Sequence, residues 1–259
     1  MRISVPAFRL EVFRPTFLDP HSPSLKGWIF AKQKDGVVKI KTIQKLNIAT
    51  KNITLNSEVF TLTNQRAAFW KKEKALILSD LHIGKTAHFR KNGIALANHI
   101  MKSDLERLSV LIEYFQPEKF IVVGDLLHAG DNSDVDEFCS WRNQYPDLQF
   151  CLIKGNHDRL SLELEKKLCL NFKSESLTID RFTFVHDFDK TLSEFQITGH
   201  IHPGVVLNSA VKNIRLPCFV QTKDQLLLPA FSEFTGLDTK NLPKGGKFYV
   251  FTDSEIHEI

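Results

Sequence analysis

From Ile53 onward the chain repeats one pattern: a short run of apolar and β-branched residues closed by a polar break carrying Asp, Asn or His. Ala75-Leu76-Ile77-Leu78 leads into Ser79-Asp80-Leu81-His82-Ile83-Gly84-Lys85 and reads as a buried strand delivering Asp80 and His82 at its carboxyl end. Phe120-Ile121-Val122-Val123 ends in Gly124-Asp125, and Phe150-Cys151-Leu152-Ile153 leads into Gly155-Asn156-His157-Asp158. Phe182-Thr183-Phe184-Val185 ends in His186, and Phe195-Gln196-Ile197-Thr198 ends in Gly199-His200-Ile201-His202. Upstream, Ile53–Leu55, Val59–Leu62 and Ala67–Trp70 predict sheet-edge hairpins.

Helical spacing alternates with these runs. Ile100, Leu105, Leu108, Leu111, Ile112 and Phe115 share one helix face, with Pro117 just beyond. Ser133 opens a second helix with Asp134, Asp136 and Glu137 in its first turn, stopping near Pro146. Ser161 caps a third, through Leu164 and Leu168. Past Asn171 only strands are expected, among them Ile214–Gln221, Gln225–Leu228 and Phe248–Phe251. Alternating strands and helices followed by strands alone predict two packed sheets flanked by helices.

Composition changes this picture at one end of the chain. Residues 1–45 hold four of the ten prolines and nine Lys and Arg against three Asp and Glu, while the whole chain carries only +4. The basic charge therefore belongs to a leader, set at 1–48, and the domain expected over 49–259 is slightly acidic. Within the leader, Trp28-Ile29-Phe30 and Val37-Val38-Lys39-Ile40 fit a short hairpin. The leader reads either as a basic arm for phosphates or as a segment outside the fold. Arg9, Glu11, Arg14 and Pro15 interrupt the apolar core a secretory signal needs, and no apolar stretch nears the roughly 18 residues of a membrane span. The four cysteines form no C-x-x-C pair and read as small core residues in a reducing, cytoplasmic setting.

The polar breaks define the chemistry. Two divalent ions about 3.5–4 Å apart need a shared ligand, and a carboxylate can bridge them. Asp125, alone at a strand end beside Gly124, is the natural bridge. Asp80 and His82 are spaced i, i+2, so on a continuing strand they would face one way, and His200 and His202 share that spacing. Asn156 offers an amide oxygen and His186 another imidazole. Oxygen and imidazole donors without thiolates suit manganese, iron or zinc at a reactive site rather than a structural zinc. Each motif alone is commonplace, but five in order, each after an apolar run, form a joint signal.

This set of motifs resembles the calcineurin-like metallophosphoesterases, with D-x-H, G-D, G-N-H-D, H and G-H-x-H in order. The resemblance implies a four-layer α/β/β/α sandwich and two divalent metal ions. By the same resemblance, Asp80, His82, Asp125 and His202 would hold the first ion, and Asp125, Asn156, His186 and His200 the second. His157 would be the catalytic histidine assisting the leaving oxygen, with Asp158 orienting it. Asp80-Leu81-His82-Ile83-Gly84-Lys85 with Phe89-Arg90, Gly124-Asp125-Leu126-Leu127-His128, Arg215-Leu216-Pro217-Cys218-Phe219 and Leu228-Pro229-Ala230-Phe231 narrow it further. They are similar to the bacterial DNA-ligase-associated metallophosphoesterases over roughly residues 50–252. That likeness implies manganese-dependent phosphodiester hydrolysis, including cleavage of DNA, beside an ATP-dependent ligase, a helicase and a nuclease. The leader has no counterpart in it.

Lys85, Arg90 and His128 are the candidate substrate contacts, set against solvated loop charges for the first two and a ligand-supporting group for His128. Two other classes compete with a DNA phosphodiesterase. One is a phosphatase or pyrophosphohydrolase for small nucleotides or lipid precursors. The other is a non-catalytic scaffold, which the complete ligand set and His157 argue against.

Overall fold

The computed structural model of the chain describes residues 46–86, 99–128, 130–208 and 212–259. The leader up to residue 45 with its expected hairpin, and Arg90, lie outside the described residues.

The first sheet begins with a meander of β1 (Thr50–Leu55), β2 (Glu58–Thr63) and β3 (Ala68–Trp70). It continues through β4 (Ala75–Leu78), β5 (Lys119–Val123), β6 (Gln149–Ile153) and β7 (Phe172–Ser174) in that spatial order. Strands β4 to β7 run parallel. The crossovers between them carry α1 (His99–Phe115), α2 (Ser133–Arg142) and α3 (Leu162–Lys167). The second sheet holds β8 (Ser176–Ile179), β9 (Phe182–Val185), β10 (Phe195–Thr198), β11 (Gly204–Asn208), β12 (Asn213–Gln221), β13 (Gln225–Leu227), β14 (Lys247–Phe251) and β15 (Ile256–Glu258). Its order is β15-β14-β12-β13-β10-β9-β8, with β11 paired to β12 and β9, β10 and β13 parallel.

Strand alternation decides which face each residue serves. Leu76, Leu78, Phe120, Val122, Phe150 and Leu152 pack with the helices, against Leu105, Leu108, Leu111, Phe138 and Leu164. Their neighbours Ala75, Ile77, Ile121, Val123 and Ile153 face the second sheet, meeting Phe182, Phe184, Ile197, Phe219 and Leu226. This intersheet layer includes a stack of Phe60 on Trp70 at 5.1 Å, with Phe182 edge-on to Trp70 at 5.0 Å. Each such buried ring contributes about 1.5–3 kcal/mol. The result is the expected α/β sandwich, with the described helices on the first sheet. Cys218, Val220, Leu227 and Val250 form a separate cluster on the far face of the second sheet.

The expected strands from Ala75 to Thr198 appear with those bounds or one residue more. Strands β7, β8, β11 and β15 were not anticipated: β7 and β15 are short, β8 alternates half-buried and exposed residues, and β11 is largely exposed although it carries the apolar run Val205-Val206-Leu207. The capping side chain of α2 is Asn132, accepting from Asp134 N at 2.9 Å, rather than Ser133. All four cysteines are free. Among the described residues no helix is long and apolar enough to cross a membrane.

Candidate metal centre

Parallel strands place their carboxyl ends together, so the loops after β4, β5, β6, β9 and β10 converge at one edge of the sandwich. The first two zip together beyond their strands. Asp80 N donates to Gly124 O at 3.0 Å, His82 N to Asp125 O at 2.9 Å, and Ile83 N to Leu126 O at 2.8 Å. The backbone there is not strand. Asp80, His82, Asp125, His200 and His202 all have left-handed φ, between +49° and +72°. Each non-glycine residue held there costs on the order of 1–2 kcal/mol. Alternation of left-handed and ordinary residues, not a continuing strand, therefore brings Asp80 and His82 together, and the same correction applies to His200 and His202.

Two glycines leave room for the ligands. A Cβ on Gly124, itself at φ +82°, would lie 1.9 Å from His186 Nδ1, so the space beside Asp125 is occupied by an imidazole. A Cβ on Gly155 would lie 2.3 Å from both the Asp125 nitrogen and Oδ1.

The side chains fall into two groups, Asp80–His82–His202 and Asp125–His186–His200, each with ligand atoms within 4.8 Å of one another. In the first, His82 Nε2 and His202 Nε2 are 3.3 Å apart, and Asp80 Oδ1 lies 3.2 Å from His202 Nε2. Burial pushes the His82 imidazole down to about 4 despite Asp80 and Asp125, so near neutral pH it offers a lone pair. In the second group, Asp125 Oδ2 is 3.4 Å from His186 Nε2, and Asn156 Nδ2 is 3.4 Å from His200 Nδ1. Burial opposes charge on this pair as well, but the mutual attraction of Asp125 and His186 outweighs it, raising the imidazole and lowering the carboxyl. His186 Nδ1 meets Val123 O at 3.0 Å, which leaves Nε2 for the site.

This donor set fits divalent cations. Asp80 Oδ1 and His186 Nε2 are buried and make no hydrogen bond, although each faces other donor atoms of its group. Buried polar atoms without partners are costly, and a cation among them would satisfy both. Asp80, His82 and His202 would hold one ion, and Asp125, His186, His200 and Asn156 the other; Asp125, expected to serve both ions, groups with the second.

The remaining candidates surround these groups. His157 is exposed, stacked on His128 at 5.3 Å and edge-on to His82 at 5.6 Å. Its backbone N–H donates to Asp125 Oδ1 at 2.9 Å. Asp158 does not meet the His157 ring. Its oxygens accept from Leu127 N at 2.8 Å and Gly155 N at 2.9 Å, so it ties the β5 and β6 loops together. Burial raises its carboxyl to about 6, with those N–H groups opposing the shift. Lys85 is half-buried, with Nζ 5.5 Å from the centre of the Phe234 ring, and burial lowers its pKa while Asp80 opposes that. Sequence reasoning missed the Val123 carbonyl, which has no side-chain signature, and the buried pair Asp104 and Arg107. That pair was readable: Asp104 stands four residues before Leu108, on the apolar face of α1.

Fold, loops and donor groups define a metal-dependent phosphoester hydrolase. The family model for calcineurin-like phosphoesterases matches residues 74–235, and the chain belongs to that family. Among solved structures it is similar to a nuclease, MPE, from Pseudomonas putida, with 28% identity and a TM-score of 0.70 over 82% of this chain and 100% of that one. It is also similar to Yfce, a phosphoesterase from E. coli, with 14% identity and a TM-score of 0.38 over 68% of this chain and 86% of that one. No curated protein sequence matches the chain.

Proposed function

We propose that the protein is a two-metal phosphodiesterase and endonuclease that cleaves DNA, single-stranded or flexible, in a ligase-associated repair pathway of the cytoplasm. The observation that carries this reading is the likeness to the Pseudomonas putida nuclease along that protein's whole length, joined to two donor groups at the same loop edge. Manganese is the favoured ion, since the donors are carboxylate, amide and imidazole with no thiolate among them. Iron and zinc accept the same donors. When bound, such ions supply the chemistry of the class, activating water and neutralising charge on the phosphoryl group.

The chain's own residues divide the remaining work. His157, exposed beside both groups and free of ligand duty, gives a proton to the leaving oxygen. Asp158 keeps that histidine in place through the backbone it staples. His128 stacks behind the His157 ring, and Lys85 offers a cation to a non-reacting phosphate oxygen from the Asp80 side of the site. An ATP-dependent ligase, a helicase and a nuclease are the partners this role implies.

The test is a hydrolysis panel with manganese, comparing single-stranded DNA, duplex DNA, nucleotides, a generic phosphodiester and a generic phosphomonoester. Cleavage of the diester and of single strands is expected. Turnover confined to monoesters would move the assignment to a small-molecule phosphatase.

A further inference from the structure

We propose that Arg107 is a positioning residue for the first metal group, acting with Arg66 and Asp104 through the segment Pro229–Ser232. This rests on the two-metal reading above and extends it to residues outside the donor set. The left-handed backbone at Asp80 and His82 stores strain, so the loop has to be held from both sides. The β5 loop holds one side. The other is held by a stretch without regular structure: Phe231 N donates to Ser79 O at 2.9 Å, Ser232 N to Asp80 O at 3.3 Å, and Ala230 bridges Ser79.

That stretch needs donors for its own buried carbonyls, and two guanidinium groups provide them. Arg66 Nη1 donates to Ala230 O at 3.1 Å, and Arg107 Nη2 donates to Phe231 O. Arg107 also pairs with Asp104 Oδ1 at 2.8 Å, reaches Glu233 Oε1 at 3.3 Å and lies 4.4 Å from the centre of the Phe231 ring. Asp104 in turn shares a side-chain hydrogen bond with Ser232. Asp104 and Arg107 are only 3% and 5% exposed. Placing a charged pair inside a core is seldom stabilising relative to apolar residues, so its use here points to geometry. The planar fork of Arg107 fixes a carbonyl and a carboxylate together, which a lysine cannot reproduce. The chain of contacts runs from α1 through Phe231 and Ser232 to the carbonyls of Ser79 and Asp80. It reaches the Asp125–His186–His200 group only at one remove, through Asp80, whose Oδ2 accepts from His200 N at 3.1 Å.

The experiment is a calorimetric titration of metal-free full-length protein with Mn2+, with Tm measured on every sample. His202→Ala and His200→Ala mark which binding step belongs to which group. Arg107→Met is expected to weaken the first group's step by about 10–100-fold and the other by clearly less. Arg107→Lys recovers only part of that loss. Leu148→Ala, a core truncation at the opposite end of β6, lowers Tm without separating the two steps. Should Arg107→Met fail to fold, Ser232→Ala and Arg107→Lys must show the same unequal weakening. Equal weakening of both steps, or no weakening in the variants that fold, overturns the proposal. Failure of the wild type to bind two ions overturns the metal reading instead, and the proposal with it.

Discussion

His157 is the residue at which binding and chemistry separate. Its ring is exposed among histidines, yet it contributes no atom to either donor group, and its tie to Asp125 runs through backbone. His157→Ala keeps that N–H and should keep fold and metal content while losing on the order of 10²–10⁴-fold in rate. The loss should shrink for substrates whose leaving group needs no proton. Metal analysis beside kcat checks this, and a variant that loses an ion in proportion to activity would make His157 a ligand. Residue types were legible because metal chemistry restricts them so tightly: Asp80, His82, Asp125, Asn156, His186, His200 and His202 were picked from the chain, and the fold gathers them at one loop edge. Their support was not. The Val123 carbonyl, and Asp158 bonding to backbone rather than to His157, depend on loop contacts that no local pattern encodes.

At the level of elements, the sandwich was legible wherever one face or both were apolar in sequence. Strands β4, β5, β6, β9 and β10 are dense in Val, Ile, Leu and Phe because both faces are covered, so each run announced itself. Strand β15 is short and largely exposed and carries no such signal, whereas β12 was expected from Ile214 although its outer half is exposed. The i, i+2 reasoning about Asp80 and His82 reached the right neighbours by the wrong route, since left-handed backbone cannot be read from residue spacing. Gly124 tests how these elements fit. Its φ of +82° and the 1.9 Å approach of His186 to any added Cβ mean that Gly124→Ala must push the imidazole out of its place. The His186–Val123 bond should break, stability should fall by about 1–3 kcal/mol, and the second group should lose its ion. Elemental analysis together with Tm tests this, and a variant that retains two ions would show that the β5 turn can shift without disturbing the site. A milder change, Asn132→Ala, removes the α2 cap and should cost about 1 kcal/mol in Tm-derived stability with both ions retained.

At the scale of the molecule, charge separates how a polymer is reached from how a bond is broken. The body beyond residue 45 carries 25 Lys and Arg against 27 Asp and Glu, while the leader is strongly basic. Removing residues 1–45 should leave hydrolysis of a small diester intact, because every donor and His157 lie in the described body. If the leader contacts phosphates, binding of a DNA strand alone should weaken, and its salt dependence should flatten. Loss of solubility on truncation would instead make the leader part of the body. The substrate prediction follows from the same balance. A phosphomonoester brings nearly two negative charges near neutral pH and an internal diester one, so a monoesterase gains more from extra cations around its metals. Among the described residues, the candidate cations close to the motifs are Lys85, half-buried with its pKa lowered, and Arg159, exposed just after Asp158. A body that is not basic grips a long duplex poorly, and a duplex has to open before its backbone can bend into a two-metal site. We therefore expect kcat/KM for a diester to exceed that for the matched monoester, and single strands to be cut faster than intact duplex. Matched ester kinetics and a gel assay on both strand states decide it; a marked monoester preference with intact DNA would reassign the site to small phosphate esters.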